Sequence, residues 1–275
     1  MRIPLAVLML VMLLLTSPRS SLAQEDFDYT KAYKDYVFTQ DVYQKAHGDY
    51  LLARSQYLDA QTLASQTKAQ ASTVAMLRAR DDVMVTYFTV VRMRLAETDG
   101  ISDTEKNSLY GRLDSEIAWF QAHKDGISSA ASLDDLVVDS SEAAKRFTAI
   151  EPLIYEVLGT IPIGRVETLR TSINKILAQI KTKIEEIRVN GDHDTTNAER
   201  WTIETENKIT RSLDKSIEAQ KIIYSFQGIE ERDLRQMDLN KEYNGAITIL
   251  QESNQLLRES ASYMREIVKQ IKTKS

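Results

Sequence analysis

The sequence predicts an all-α protein: an elongated antiparallel helical bundle, coiled-coil-like, with four to six helices and no sheet. Three observations predict it. Apolar residues recur at heptad spacing along most of the chain. Only nine glycines and four prolines occur in 275 residues, and most fall between the periodic segments. No run alternates apolar and polar residues between turn signals.

The chain opens on an export-type segment. Arg2 supplies a positive start, residues 3–15 are an apolar run, and Ser21-Leu22-Ala23 offers the small residues that a signal peptidase reads. The run is shorter than the roughly 20 apolar residues of a spanning helix. Pro18 and Arg19 stop its extension. Cleavage after Ala23 is expected, with an uncleaved anchor as the alternative, and the chain is expected to be secreted or held in the cell envelope. The most apolar later stretch, residues 149–166, contains Glu151, Pro152, Glu156 and Pro162. A charge at the bilayer centre costs at least about 2.5–3.5 kcal/mol, so no membrane span is expected in the mature chain.

There is no cysteine, which excludes disulfides, thiolate metal sites, thiol catalysis and a lipid-modified N-terminal cysteine. Removing Arg2 and Arg19 takes the formal charge from -5 to -7. An acidic chain argues against nucleic acid as a partner. Arg265, Lys269, Lys272 and Lys274 form a local basic cluster at the C-terminus. Cations at a helix end explain it, and a weak contact with an anionic surface is the minor alternative.

The first helix is expected over about 27–98, where Ala32, Thr39, Ala46, Ala53, Ala60, Thr67, Val74, Asp81, Phe88 and Leu95 repeat every seven residues. Leu77, Met84 and Val91 flank this line. Unbroken, the helix would be about 108 Å long. His47-Gly48 is the expected break, because glycine inside a helix costs about 1 kcal/mol. Asp99-Gly100 ends the segment. A helix over about 103–124 starts at a capping box of Ser102 and Glu105 and closes at Asp125-Gly126.

Two further helices are expected over about 133–161 and 163–189. Ser132 is the cap, Pro152 a kink, and Gly159, Pro162 and Gly164 a bend. Thr196 and Glu199 form a second capping box after the polar linker. An apolar stripe then runs through Trp201, Ile209, Leu213, Ile217, Ile223, Leu234 and Met237. Beyond Asn240 it continues through Tyr243, Ile247, Leu250, Leu257, Met264 and Ile267 with a shift of phase. Residues 191–275 are therefore one long helix or a helix pair, packed on a bundle formed by residues 24–190.

The tyrosines are the most distinctive feature. Tyr29, Tyr36, Tyr43, Tyr50 and Tyr57 stand at intervals of seven, with Tyr33 between the first two. A straight helix drifts about 20° per heptad, so this line faces a neighbour only in a supercoiled pair. Tyr29, Tyr36, Tyr43, Tyr50 and Tyr57, with Val74, Leu77, Phe88 and Leu95, are the candidate helix-packing or partner seam. The rings are expected to be mostly buried.

No catalytic, cofactor or metal site is legible. Asp81 interrupts the seam and needs a partner, and either a salt bridge to a neighbouring helix or a seam that opens to solvent there is expected. The histidines, His47, His123 and His193, belong to no Glu-x-x-His or His-Glu-x-x-His pattern. Asp192-His193-Asp194 are adjacent, and adjacent residues rarely face one ion together. Gly159 and Gly164 have phosphate-loop spacing, but Arg165-Val166 stands where Lys and Ser/Thr are needed.

The stretches DYLLARSQYL at 49–58 and RDDVMVTYFTVVRMRLAET at 80–98, with Ile117-Ala118-Trp119-Phe120, resemble exported α-helical proteins of ultra-small candidate-phyla bacteria. That resemblance implies helices and export and carries no activity. The functional expectation is an exported, non-enzymatic structural or protein-interaction protein, binding another protein or itself through its helix seams. The alternatives are a cell-envelope adaptor for a membrane complex and a helical membrane-active protein.

Overall fold

A computed structural model describes residues 28–190, 194–229 and 237–273. They form an all-α bundle of six helices, with no strand among the described residues. The helices are α1 (Tyr29–Ala60), α2 (Leu63–Ala96), α3 (Asp103–Gly126), α4 (Leu133–Asn190), α5 (Thr196–Tyr224) and α6 (Leu239–Thr273). The expected signal segment lies outside the described residues.

The helix expected over 27–98 is two helices folded into an antiparallel hairpin. Partners step down α2 as they step up α1. The Tyr29 amide donates to Glu97 at 3.0 Å, the Thr39 and Thr86 hydroxyls meet at 2.7 Å, and Lys68 donates to Gln56 at 3.0 Å. The turn falls at Gln61-Thr62, not at His47-Gly48. Gln61 takes the left-handed conformation, φ 45°, and its amide donates to the Tyr57 carbonyl at 2.9 Å. Thr62 and Ser65 then cap α2 reciprocally, amide to hydroxyl, at 3.0 and 3.2 Å. Gly48 stays helical in open space, and the His47 ring packs between Tyr43 and Tyr50.

α3 lies antiparallel on α2, and the first half of α4 closes the layer. Phe88, Val91 and Leu95 of α2 pack with Leu109, Leu113 and Phe120 of α3 and with Ile150, Leu153 and Val157 of α4. The second half of α4 joins α5 and α6 around a separate core that includes Ile173, Leu177, Ile223, Leu250 and Leu257. α4 is thus the shared spine, about 87 Å long at 1.5 Å per residue. Residues 163–184 of this spine pack against α5 and α6.

α4 runs as helix through Pro152 and Pro162, so the expected break at 162 is absent. Packing on both sides of this segment outweighs the proline penalty of about 3 kcal/mol. Its glycines are points of close approach. A Cβ on Gly164 would stand 2.7 Å from the Asp99 carbonyl, and one on Gly159 would strike the Ile223 side chain. Gly100, at φ +79°, turns the chain against the same stretch of α4.

Caps deviate where tertiary contacts compete. Ser102 accepts from the Glu105 amide at 3.2 Å, but Glu105 does not return the bond. Its carboxylate instead accepts from the Tyr224 hydroxyl on α5 at 2.5 Å. The box expected at Thr196 is not formed: Thr195 is the N-cap residue and makes no side-chain cap bond. Ser132 and Asp135 do cap reciprocally, at 2.9 and 3.1 Å.

The phase shift near residue 240 reflects two helices. The α5–α6 seam is built of small residues: Ala198, Thr205, Ser212 and Ala219 repeat every seven on α5, and Ala246, Ser253 and Ser260 on α6, all buried. The Ser212 and Ser253 hydroxyls meet at 2.8 Å. Leu213 and Ile217, expected in the stripe, are exposed.

Candidate functional site

The five heptad tyrosines meet three different environments along α1. All five heptad tyrosines are half-buried, so none stands free in solvent and none is sealed. Tyr29 lies under the Arg94 guanidinium, 4.8 Å from its ring centroid. Tyr36 packs on Tyr87 across the hairpin, centroids 5.8 Å apart. Tyr43 and Tyr50 pack against a small core of Val74, Met76, Leu77, Ile127 and Leu136. Val74 and Leu77 therefore do join the tyrosines. Phe88 and Leu95 do not, and face α3 and α4 instead.

Tyr57 and Tyr50 line a groove of about 460 Å³ where the closed end of the hairpin meets the first turns of α4. α2 supplies Met76 and Leu77 to it, and α4 supplies Leu133, Leu136 and Val137. The α4 half was invisible in the sequence, because nothing in residues 133–144 marks the hairpin as its neighbour.

A second apolar surface lies on the side of α1 opposite buried Ala32 and Ala53. It carries Val37 and Leu51, flanked by Tyr33, Phe38 and Leu52, all exposed. The heptad relation of Val37, Leu51 and Leu58 was the available signal, masked by the stronger tyrosine repeat.

Asp81 finds the neighbouring-helix partner the sequence required, and it is His123 of α3. The carboxylate and the imidazole Nδ1 stand 2.6 Å apart, and Asp81 is fully buried. The other ring nitrogen lies 3.1 Å from the Asp139 carbonyl oxygen. Trp119 stacks on the imidazole at 5.0 Å, and Arg146 covers Trp119 while binding Glu116 through two bonds of 2.7 Å. Burial pushes the Asp81 carboxyl above its usual range, against the pull of His123 and Arg80. With both side chains enclosed, the pair joins α2 to α3.

A second buried carboxylate, Glu156, sits at the junction of the two cores. It accepts from Arg112 at 2.6 Å and from Gln227. Asp192 and His193 lie outside the described residues, and Asp194 accepts from the Thr196 amide. Among the described residues no cluster of three ligands suits a metal ion, and no helix is long and apolar enough to cross a membrane. Residues 149–166, the one stretch considered for membrane activity, supply Ile150, Leu153, Val157 and Ile161 to the core. No family model, curated protein or solved structure matches the chain.

Proposed function

We propose that this chain is an exported, non-enzymatic interaction protein that engages a helical partner through the outward face of α1. A second copy of the chain is the first partner to test. The observation that carries the reading is that large apolar side chains of α1 stand in solvent on the side that α2 does not cover. α2 takes the tyrosine side, whereas Phe38 and Leu52 on the other side remain 68% and 56% exposed. Large apolar side chains exposed along one side of a helix mark an interaction site. Enclosed carboxylates in place of an accessible acid–base pair favour the non-enzymatic reading, and the N-terminal apolar run supports export.

Light scattering after size exclusion tests it. The wild type is expected as a defined oligomer, and Phe38→Lys/Leu52→Lys as a monomer of unchanged helicity. A wild type that stays monomeric at every concentration overturns self-association. An oligomer insensitive to the double substitution overturns the assignment to α1.

A further inference from the structure

The groove between α1, α2 and α4 has a charge pattern unlike the chain as a whole. The sequence holds 40 acidic and 35 basic residues, yet among the described residues Arg54 is the one charged residue lining the groove. Arg54 makes no ion pair with a described residue. The floor is Met76, Leu77 and Leu136, all buried. Exposed Val137 forms one wall, and Tyr57 lines the α1 side.

We infer that this groove binds a free fatty acid, with its chain along Leu77 and Leu136 and its carboxylate on Arg54. The volume of about 460 Å³ falls within the roughly 300–1,000 Å³ of small-molecule sites. Such sites are apolar with a few polar groups that fix orientation, and here those groups are the guanidinium and the tyrosine hydroxyls. A single planar guanidinium matches one carboxylate through two parallel hydrogen bonds. Burying the chain removes Leu58 and Val137 from water, both of which are exposed. No lining carboxylate opposes the anion, and none would hold a cationic amphiphile. The inference does not depend on self-association, because Phe38 and Leu52, which carry that reading, do not line the groove.

Fluorescence of cis-parinaric acid with the full chain tests it, using palmitate, hexadecanol and hexadecyltrimethylammonium as competitors. Saturable one-to-one binding is expected, displaced by palmitate, about tenfold less readily by hexadecanol, and not by the ammonium. Arg54→Gln should erase the preference for palmitate over hexadecanol. Ala144→Trp or Val137→Trp, filling the groove from its exposed rim, should abolish saturable binding with unchanged circular dichroism. Equal displacement by all three competitors overturns the inference. So does binding that survives both tryptophan variants, which would place the probe on the N-terminal apolar run. Capture of an apolar helical peptide that palmitate fails to displace would also overturn it.

Discussion

Asp81 of α2 and His123 of α3 meet at 2.6 Å inside the bundle, while the far nitrogen of the same imidazole faces the main chain of α4 at 3.1 Å. One side chain thereby ties three helices. His123→Leu leaves a carboxylate enclosed without its partner. Breaking such a pair from one side costs about 3–5 kcal/mol, whereas replacing both members with apolar groups is often neutral. Urea unfolding should show that loss for His123→Leu and recovery of most of it in Asp81→Leu/His123→Leu. Additive losses in the double variant would show that the pair is not coupled.

The glycines divide into two kinds with opposite expected signs. Gly164→Ala places a methyl 2.7 Å from the Asp99 carbonyl, a backbone atom that cannot swing aside. Overpacking of this kind costs about 1–3 kcal/mol. Gly48 and Gly245 are helical with open space around the missing Cβ. Alanine there should stabilise by about 0.5–1 kcal/mol each. Thermal melts of the three single variants check both signs.

Alkali should unfold the protein through two tyrosines. Burial, with Tyr36, Tyr243 and Tyr155 close by, pushes the Tyr87 phenol up to about 12. Burial and the hydrogen bond to Glu105 push Tyr224 up to about 12 as well. Both folded values lie above the ordinary tyrosine value of 10.0. The unfolded chain therefore ionises first. The stability these groups contribute is complete below pH 10 and is lost as pH rises towards 12. Absorbance at 295 nm should show late-titrating tyrosines that merge with the rest in urea. Tyr87→Phe should move the alkaline midpoint upward.

The heptad repeats made the helices legible, and residues that combine two duties concealed how they fold together. Thr62-x-x-Ser65 reverses the chain with no glycine or proline, so periodicity alone ran α1 into α2. Pro152 reads as a kink and Pro162 as part of a bend because their cost is local, whereas the packing that retains them comes from distant parts of the chain. Glu105 read as a cap because Tyr224, 119 residues away, leaves no local trace. The tyrosine line was visible, while the α4 wall of the groove and the partner of Asp81 arise only from long-range contact.

The same reasoning corrects the apolar stripe of α5 and yields a sharp test. Of the large residues in that stripe Ile209 and Ile223 are buried and Leu213 and Ile217 are exposed, and the seam with α6 belongs to Ala198, Thr205, Ser212 and Ala219, which let the two backbones approach. At the centre, Ser253 donates to the Ser212 carbonyl at 2.7 Å, and the two hydroxyls meet at 2.8 Å. Ser253→Leu inserts a larger side chain where there is no room and leaves the Ser212 hydroxyl without its partner. Overpacking contributes about 1–3 kcal/mol of destabilisation, and the orphaned polar group adds to it. Ile217→Ser removes an apolar side chain of similar size from the exposed side of the helix and should change stability by no more than about 0.5 kcal/mol. A stripe built on the large residues would reverse this order. Chemical denaturation of the two variants side by side decides which face of α5 holds the bundle.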